Sequence, residues 1–337
     1  MKKTIKIIDL FAGIGGTRLG IEQAGKKLGY GVKCSFTSEI DKYAIKTYVK
    51  NFGNCNIYGD ISQLKTKDIK NVIPNHDMLL AGFPCQPFSQ AGHKKGFADT
   101  RGTLFFDIQR ILEIKKPKMF LLENVKHLKG HDKGRTLKTI LKVLRKNYYV
   151  PEPQVLSSKD FGIPQNRQRI FIVGFRSKDT NGTYLFPRPI KKKTRLGDVL
   201  IGKYENKYVI SKKIWKSHIR RKKNNKKMGK GFGFGLFDKN SEYCNTISAR
   251  YYKDGSEVLV SRGKNKEPRK LLPRECARLQ GFPDNYKIPV SDTQAYKQFG
   301  NSVTVSVIKQ ICINMIKFSY EKDGLITENK QLDLQLA

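Results

Sequence analysis

The 337-residue sequence predicts an α/β fold: a doubly wound, mostly parallel sheet with helices on both faces, joined by a smaller, irregular, partly β domain. Three observations predict it. Short apolar runs alternate with amphipathic segments through the first 187 residues, as expected of parallel strands buried on both faces. A glycine-rich turn follows the first run, where a strand hands over to a helix. Beyond residue 187 the alternation fades and the composition turns basic.

Taken in order, residues 5–11, 32–37, 78–83, 118–122 and 169–175 read as buried strands, and 16–28, 41–51, 103–114 and 135–144 as helices. Residues 188–230 hold seventeen Lys and Arg against two acids, Asp198 and Glu205. Glycines then cluster at Gly229, Gly231, Gly233 and Gly235, followed by strand-like runs at 243–248 and 257–261. A helix-like run at 274–280 leads back toward the first domain. Residues 303–315 are periodic and apolar enough for a helix lying on the sheet. The expected organisation is one domain from 1–187 with 301–320, a second from 188–272, a hinge at 273–300 and a polar, mobile tail at 321–337.

Sixty-six Lys and Arg against 29 Asp and Glu give a net charge of +37. Such an excess points to a polyanionic partner, because each contacted phosphate releases counterions. The competing explanation is a chain that uses lysine everywhere. The cysteines stand at 34, 55, 85, 244, 276 and 312, with no C-x-x-C pair and no metal-like His spacing. This argues against a zinc site or a disulfide framework and for a reducing compartment. The basic N-terminus has its apolar stretch broken by Lys6 and Asp9, so it does not read as a signal peptide. No apolar run approaches the roughly 18 residues of a membrane span. A soluble, cytoplasmic protein is expected.

The chemistry lies just beyond the end of each apolar run. The first ends in Phe11-Ala12-Gly13-Ile14-Gly15-Gly16, the second in Ser38-Glu39, the stretch 56–59 in Asp60, the fourth in Gly82-Phe83-Pro84-Cys85, and the fifth in Glu123-Asn124. Sites in open parallel sheets form outside the carboxyl ends of the strands, so a glycine turn, three acids and a cysteine converge on one edge. The turn lets backbone approach a ligand, and a carboxylate at Glu39 suits ribose hydroxyls. Asp60 suits an adenine amine. These acids fit S-adenosyl-L-methionine and NAD equally well. Cys85 separates them: it opens a polar loop, 86–96, where a core cysteine is out of place. With Glu123 one strand away, a thiolate there suits addition to C6 of a pyrimidine while the acid holds N3.

The ordered segments Asp9-Leu10-Phe11-Ala12-Gly13-Ile14-Gly15-Gly16, Pro84-Cys85-Gln86, Glu123-Asn124-Val125, Gln165-Asn166-Arg167-Gln168-Arg169 and Gly300-Asn301-Ser302-Val303 resemble the C5-cytosine DNA methyltransferase family. Residues 101–105 and 269–283 resemble two further family segments. The resemblance implies a Rossmann-like S-adenosyl-L-methionine-dependent methyltransferase domain, with Cys85 and Glu123 catalytic and steadied by Arg167 and Arg169. It implies a cofactor site of Phe11, Ala12, Gly13, Gly15, Gly16, Glu39, Ile40, Asp60, Ile61, Pro84, Leu104, Asn301 and Ser302. Ile40 departs from relatives that carry an aromatic residue there. Double-stranded DNA is the implied partner, with no metal, and a monomeric, nucleoid-associated bacterial enzyme is expected.

The base must leave the duplex for this chemistry, and the loop 86–96, with Ser89 or Gln90 at its tip, is expected to fill the gap. Arg101, Thr246, Arg250, Tyr252 and Lys253 are expected on the DNA. Residues 231–236 and then 246–257 resemble the recognition segment of the EcoRII and Dcm type. That implies a target such as CCWGG, CCNGG or CCGG, methylated as part of restriction-modification. Rival readings are the same chemistry on tRNA, an NAD-dependent oxidoreductase, and a non-catalytic DNA-binding relative.

Overall fold

The computed structural model describes residues 3–53, 56–83, 104–177, 182–190, 192–231 and 233–320. The chain begins with β1 (Thr4–Leu10), α1 (Gly16–Leu28), β2 (Gly31–Ser38), α2 (Lys42–Phe52), β3 (Ile57–Tyr58), α3 (Ile69–Val72) and β4 (Met78–Gly82). It continues through α4 (Leu104–Lys115), β5 (Met119–Val125), α5 (Arg135–Leu144), β6 (Tyr148–Tyr149), β7 (Gln154–Ser157) and β8 (Gln168–Arg176).

These strands form one sheet in the order β3-β2-β1-β4-β5-β8-β6, with β7 also paired to β8. Pairing is parallel from β3 to β5 and antiparallel around β8. Strand alternation feeds two apolar layers. Ile5, Ile7, Met78, Leu80, Met119 and Leu121 face one layer, and Ile8, Leu10, Leu79, Ala81, Phe120 and Leu122 the other. The first is covered by Ile21 and Ala24 of α1, and the second by Phe105, Ile108 and Ile111 of α4 with Ile140 and Leu144 of α5. The chain runs outward from β1 to β3 and then crosses back to β4. The carboxyl ends of β1 and β4 therefore border a topological switch point, where a crevice opens.

The rest of the chain carries α6 (Lys212–Lys227), a small sheet of β9 (Leu236–Phe237), β10 (Leu259–Val260) and β11 (Arg269–Lys270), then α7 (Pro273–Leu279), α8 (Asp292–Asn301) and α9 (Val305–Tyr320). Val307, Ile308, Ile311 and Met315 of α9 join the layer under α1. A third apolar cluster ties Ile14 and Ala44 to Leu196, Ile247, Tyr251, Val260, Leu279 and Phe299.

The expected strands and helices of the first 187 residues are present, α1 and α5 with the expected ends and the others with ends shifted by at most three residues. Asp41 is the cap of α2, its carboxylate accepting from the Tyr43 and Ala44 backbone N–H groups. Two expectations change. Residues 243–248 form no strand but only an isolated bridge, Gln165 to Cys244, while Thr246 and Ile247 bond to Asn166 and Gln165 across the chain. The basic stretch holds a sixteen-residue helix, α6, which alternation of apolar residues does not announce. The tail at 321–337 lies outside the described residues.

Asp9, the penultimate residue of β1, is wholly buried. Its Oδ1 accepts from Thr17 Oγ1 of α1 at 2.7 Å, and its Oδ2 has no partner. Burial pushes its carboxyl up to about 7, against the weaker pull of Thr17 and Arg18. The folded pKa exceeds the unfolded one, so the neutral acid favours folding in full below about pH 4, and that contribution fades as pH rises toward 7. Asp9→Asn keeps the acceptor and removes the charge. It should match the wild type near pH 4 and exceed it at about pH 8 by up to about 4 kcal/mol in urea unfolding. A stability difference that does not grow with pH contradicts this.

Candidate active site

The crevice at the switch point is a cleft of about 1470 Å³. Its wall collects Phe11, Ala12, Gly13 and Gly16 after β1, Glu39 and Ile40 after β2, Asp60 and Ile61 after β3, and Leu104 at the start of α4. Glu123 of β5, Arg167, Arg169 of β8, and Asn301 and Ser302 before α9 complete it. Pro84, Cys85, Ser89, Gln90 and Arg101 lie outside the described residues.

The turn after β1 is strained where it meets the cleft. Phe11 has φ 55°, a left-handed conformation that costs a side-chain-bearing residue about 1–2 kcal/mol. Gly15 has φ 78°, and a Cβ there would lie 2.3 Å from the Phe52 ring, so glycine alone fits. The turn is braced by Glu39: Oε2 accepts from the Gly13 N–H at 2.7 Å, and Oε1 from the Ile40 and Asp41 N–H groups, each at 2.8 Å. Three of its roughly four acceptor sites are thus used. Asp60 accepts from the Ser62 N–H at 2.9 Å, and the Ser62 hydroxyl first and this N–H second lower its pKa. Ile40 is 73% exposed at the cleft rim, an apolar side chain without apolar cover.

Glu123 is buried at the end of β5, and Arg169 Nε on the antiparallel β8 sits 3.0 Å from its Oε1. Burial raises the Glu123 carboxyl, and Arg169 and then Arg167 oppose the rise. Burial likewise lowers the Arg169 guanidinium, with Glu123 opposing. Desolvation thus presses both partners toward neutrality, so the acid can keep or accept a proton more readily than an exposed carboxylate. Beside it, the buried Asn124 amide donates to the Phe83 carbonyl at 2.9 Å and its Oδ1 accepts from the Val125 N–H. Asn124 therefore holds the end of β4 two residues before Cys85 in sequence.

Arg167 does something the sequence does not disclose. Its guanidinium donates to the carbonyls of Ile247 (3.1 Å), Gly300 (3.0 Å) and Ser302 (2.7 Å). Burial and the neighbouring Arg169 push its pKa well down, while Glu123 opposes; with three carbonyl acceptors a guanidinium stays charged. Its action is positioning: it pins chain segments 80 to 135 residues away around the cleft.

The expected DNA-contacting residues of the later chain stand apart from the cleft wall. Thr246 Oγ1 donates to the Asn166 carbonyl at 2.8 Å. Arg250 and Lys253 are exposed, and the half-buried Tyr252 ring lies 5.2 Å from Lys297 Nζ. Lys297 and Gln298 of α8 line the cleft and were not singled out from sequence, because they precede the Gly300-Asn301-Ser302-Val303 segment in a stretch read as a hinge. Among the described residues, Cys34, Cys244, Cys276 and Cys312 are free, and burial raises the pKa of each, as befits inert thiols. No group of three or more metal-ligating side chains occurs among the described residues. No helix of the described residues is long and apolar enough to cross a membrane.

A parallel sheet with a glycine turn, a backbone-held acid and a buried acid–guanidinium pair around one crevice defines a doubly wound α/β enzyme. The family model of the C-5 cytosine-specific DNA methylases matches residues 5–317. The Type II methyltransferase M.NlaX of Neisseria lactamica is 60% identical over 311 residues, 92% of this chain and 96% of the relative. The Type II methyltransferase M1.ScrFI of Lactococcus lactis subsp. cremoris is 58% identical over 314 residues, 93% of this chain and 78% of the relative. In fold, the chain resembles the S. pombe Dnmt2 methyltransferase, with TM-score 0.74 at 20% identity over 93% of this chain and 98% of that one. The chain belongs to the C-5 cytosine-specific DNA methylase family and is a DNA (cytosine-5)-methyltransferase.

Replacing Arg167 by Met keeps length and removes the donors, leaving three carbonyls to find water in a buried site. Each buried group left unsatisfied costs about 1–3 kcal/mol. Urea unfolding of Arg167→Met should therefore show a loss of at least about 2 kcal/mol. An unchanged midpoint contradicts the pinning role.

Proposed function

We propose that this enzyme methylates C5 of a cytosine turned out of duplex DNA, through a covalent bond from Cys85 to C6, with S-adenosyl-L-methionine as methyl donor. The observation that carries the reading is Glu123: a buried acid, raised by desolvation and paired to Arg169, in the same cleft as a backbone-held acid suited to a nucleoside.

The cleft fits the cofactor. Glu39 keeps acceptor capacity for ribose hydroxyls, Asp60 is a low-pKa carboxylate for an adenine amine, and Phe11, Ile40 and Ile61 offer apolar cover to a ring. The Gln298 amide nitrogen, buried without a partner, lies on a residue of the same wall. When bound, S-adenosyl-L-methionine supplies an electrophilic methyl group. Cys85, as thiolate, adds to C6 and makes C5 nucleophilic. Glu123 holds N3 and, by its proton, neutralises the charge that addition places on the ring. Arg169 fixes the carboxyl, and Asn124 fixes the strand end that leads to Cys85. With the methyl group on C5, N3 returns its proton to Glu123, the C5 proton passes to solvent, and the electron pair it leaves re-forms the C5–C6 double bond and expels the Cys85 sulfur as thiolate.

The segment 188–272 is proposed as the target-recognition domain, with Thr246, Arg250, Tyr252 and Lys253 on the DNA and an inner cytosine of a short CC/GG site as target. Partnership with a restriction enzyme follows from the Type II names of the relatives.

Glu123→Gln should lower the methyl-transfer rate on duplex DNA by about 100-fold or more. Cofactor affinity by calorimetry should stay within about threefold, because the acid serves the base and not the adenosyl group. A matching loss of cofactor affinity places Glu123 in the cofactor site instead.

A further inference from the structure

We propose that α6 is a phosphate-tracking helix, whose outer face lies along the backbone of duplex DNA flanking the target while its inner face is held on Gly233, Phe234 and Asp254. The inference rests on the DNA-methylating reading above and adds a binding surface to it.

The sequence of α6, KKIWKSHIRRKKNNKK, holds nine Lys and Arg and no acid. At 3.6 residues per turn, Lys212, Lys213, Lys216, Arg220, Lys223 and Lys227 fall within about 100° of arc. All six are exposed, and none makes an ion pair among the described residues. The opposite face is the docked one. His218 is the buried residue of the helix, and the Trp215 ring meets Phe234 at 4.9 Å. Lys222, though exposed, has its Nζ 4.4 Å from the Phe234 ring centre, on the docked side of the helix. Arg221 donates to the Gly233 carbonyl at 3.0 Å and pairs with Asp254 at 3.2 Å.

That Asp254 contact ties the helix to the cleft. Asp254 closes the turn that carries Arg250, Tyr252 and Lys253, and Tyr252 lies under Lys297 of the cleft wall. Two residues before Arg250, the Ser248 carbonyl backs onto Gly300 so closely that a Cβ there would meet it at 2.2 Å. The outer face of α6 is thus held by a short chain of contacts from the site of chemistry.

The charge pattern identifies the occupant. Like charges four residues apart destabilise a helix by about 0.2–0.5 kcal/mol per pair, and a surface built for solubility mixes signs. Six cations facing one way are therefore a standing cost that a row of phosphates removes. The stripe is about 22 Å long, and one DNA strand presents a phosphate every 3.4 Å or so along the axis while winding around it, so a straight helix reaches several phosphates, on one strand or across a groove.

The test is duplex binding at several salt concentrations by the full chain carrying Lys216→Gln, Arg220→Gln, Lys223→Gln and Lys227→Gln together. Glutamine preserves helix propensity, and far-ultraviolet dichroism checks that α6 persists. The log–log salt dependence should flatten by about 0.9 for each phosphate no longer neutralised, about 3 to 4 in all, with cognate and scrambled duplexes weakened alike by at least about tenfold. A control removes Lys26, Lys27, Lys33 and Lys70, exposed residues toward the amino edge of the sheet, at equal charge, and should leave the slope unchanged. An unchanged slope in the α6 variant overturns the proposal. So does an equal effect in the control, which assigns the loss to net charge, or a loss confined to the cognate duplex, which makes α6 a reader. A slope change on structured RNA without one on duplex DNA overturns the choice of partner. If the wild type transfers no methyl group to duplex DNA, the reading of function fails, whatever the slopes show.

Discussion

The buried contact between Glu123 and Arg169 is the constraint around which the site is organised. An acid at the carboxyl end of a parallel strand is well solvated in water and costly to bury under protein. Here β8 runs antiparallel to β5 and brings Arg169 opposite Val125, close enough for its guanidinium to reach back to Glu123. The pair is only partly compensated: burial still raises the acid and lowers the base. Incomplete compensation costs stability and leaves a carboxyl that holds a proton more readily than an exposed one, as the proposed contact with a ring nitrogen requires.

The neighbouring arginine serves a different end. Arg167 is two residues from Arg169 on the same strand approach, yet it turns its guanidinium onto carbonyls of Ile247, Gly300 and Ser302. The same guanidinium that sits behind Glu123 thus fastens the later chain around the crevice. Cleft wall, acid and the chain around Ile247 are joined through one guanidinium. Asp9 and Thr17 form a second buried polar contact beneath the glycine turn, joining β1 to the first turn of α1.

Much of this was legible in the sequence, for physical reasons that can be named. Strands β1, β2, β4, β5 and β8 are buried on both faces and announce themselves as apolar runs. The acids after β2, β3 and β5 were readable because doubly wound sheets place ligands at carboxyl ends. Helix α6 was not readable: its apolar residues, Ile214, Trp215 and Ile219, do not form a stripe, and its contact with the body runs through Trp215, His218, Arg221 and the flank of Lys222. The short β6 and β7 owe their pairing to β8 and carry too few residues to show a period. Residues 243–248 alternate like a strand but direct their hydrogen bonds to Asn166 and Gln165. The role of Arg167 was hidden because backbone carbonyls leave no trace in residue identity.

The most direct test of the account uses a duplex with 5-fluorocytosine at the target position. Fluorine cannot leave C5 as a proton does, so addition and methyl transfer proceed and elimination stalls. With S-adenosyl-L-methionine present, the wild type should form a complex that survives a denaturing gel, and Cys85→Ser should form none. A wild-type enzyme that methylates ordinary cytosine yet traps nothing, or a band that persists in Cys85→Ser, contradicts the covalent route through Cys85.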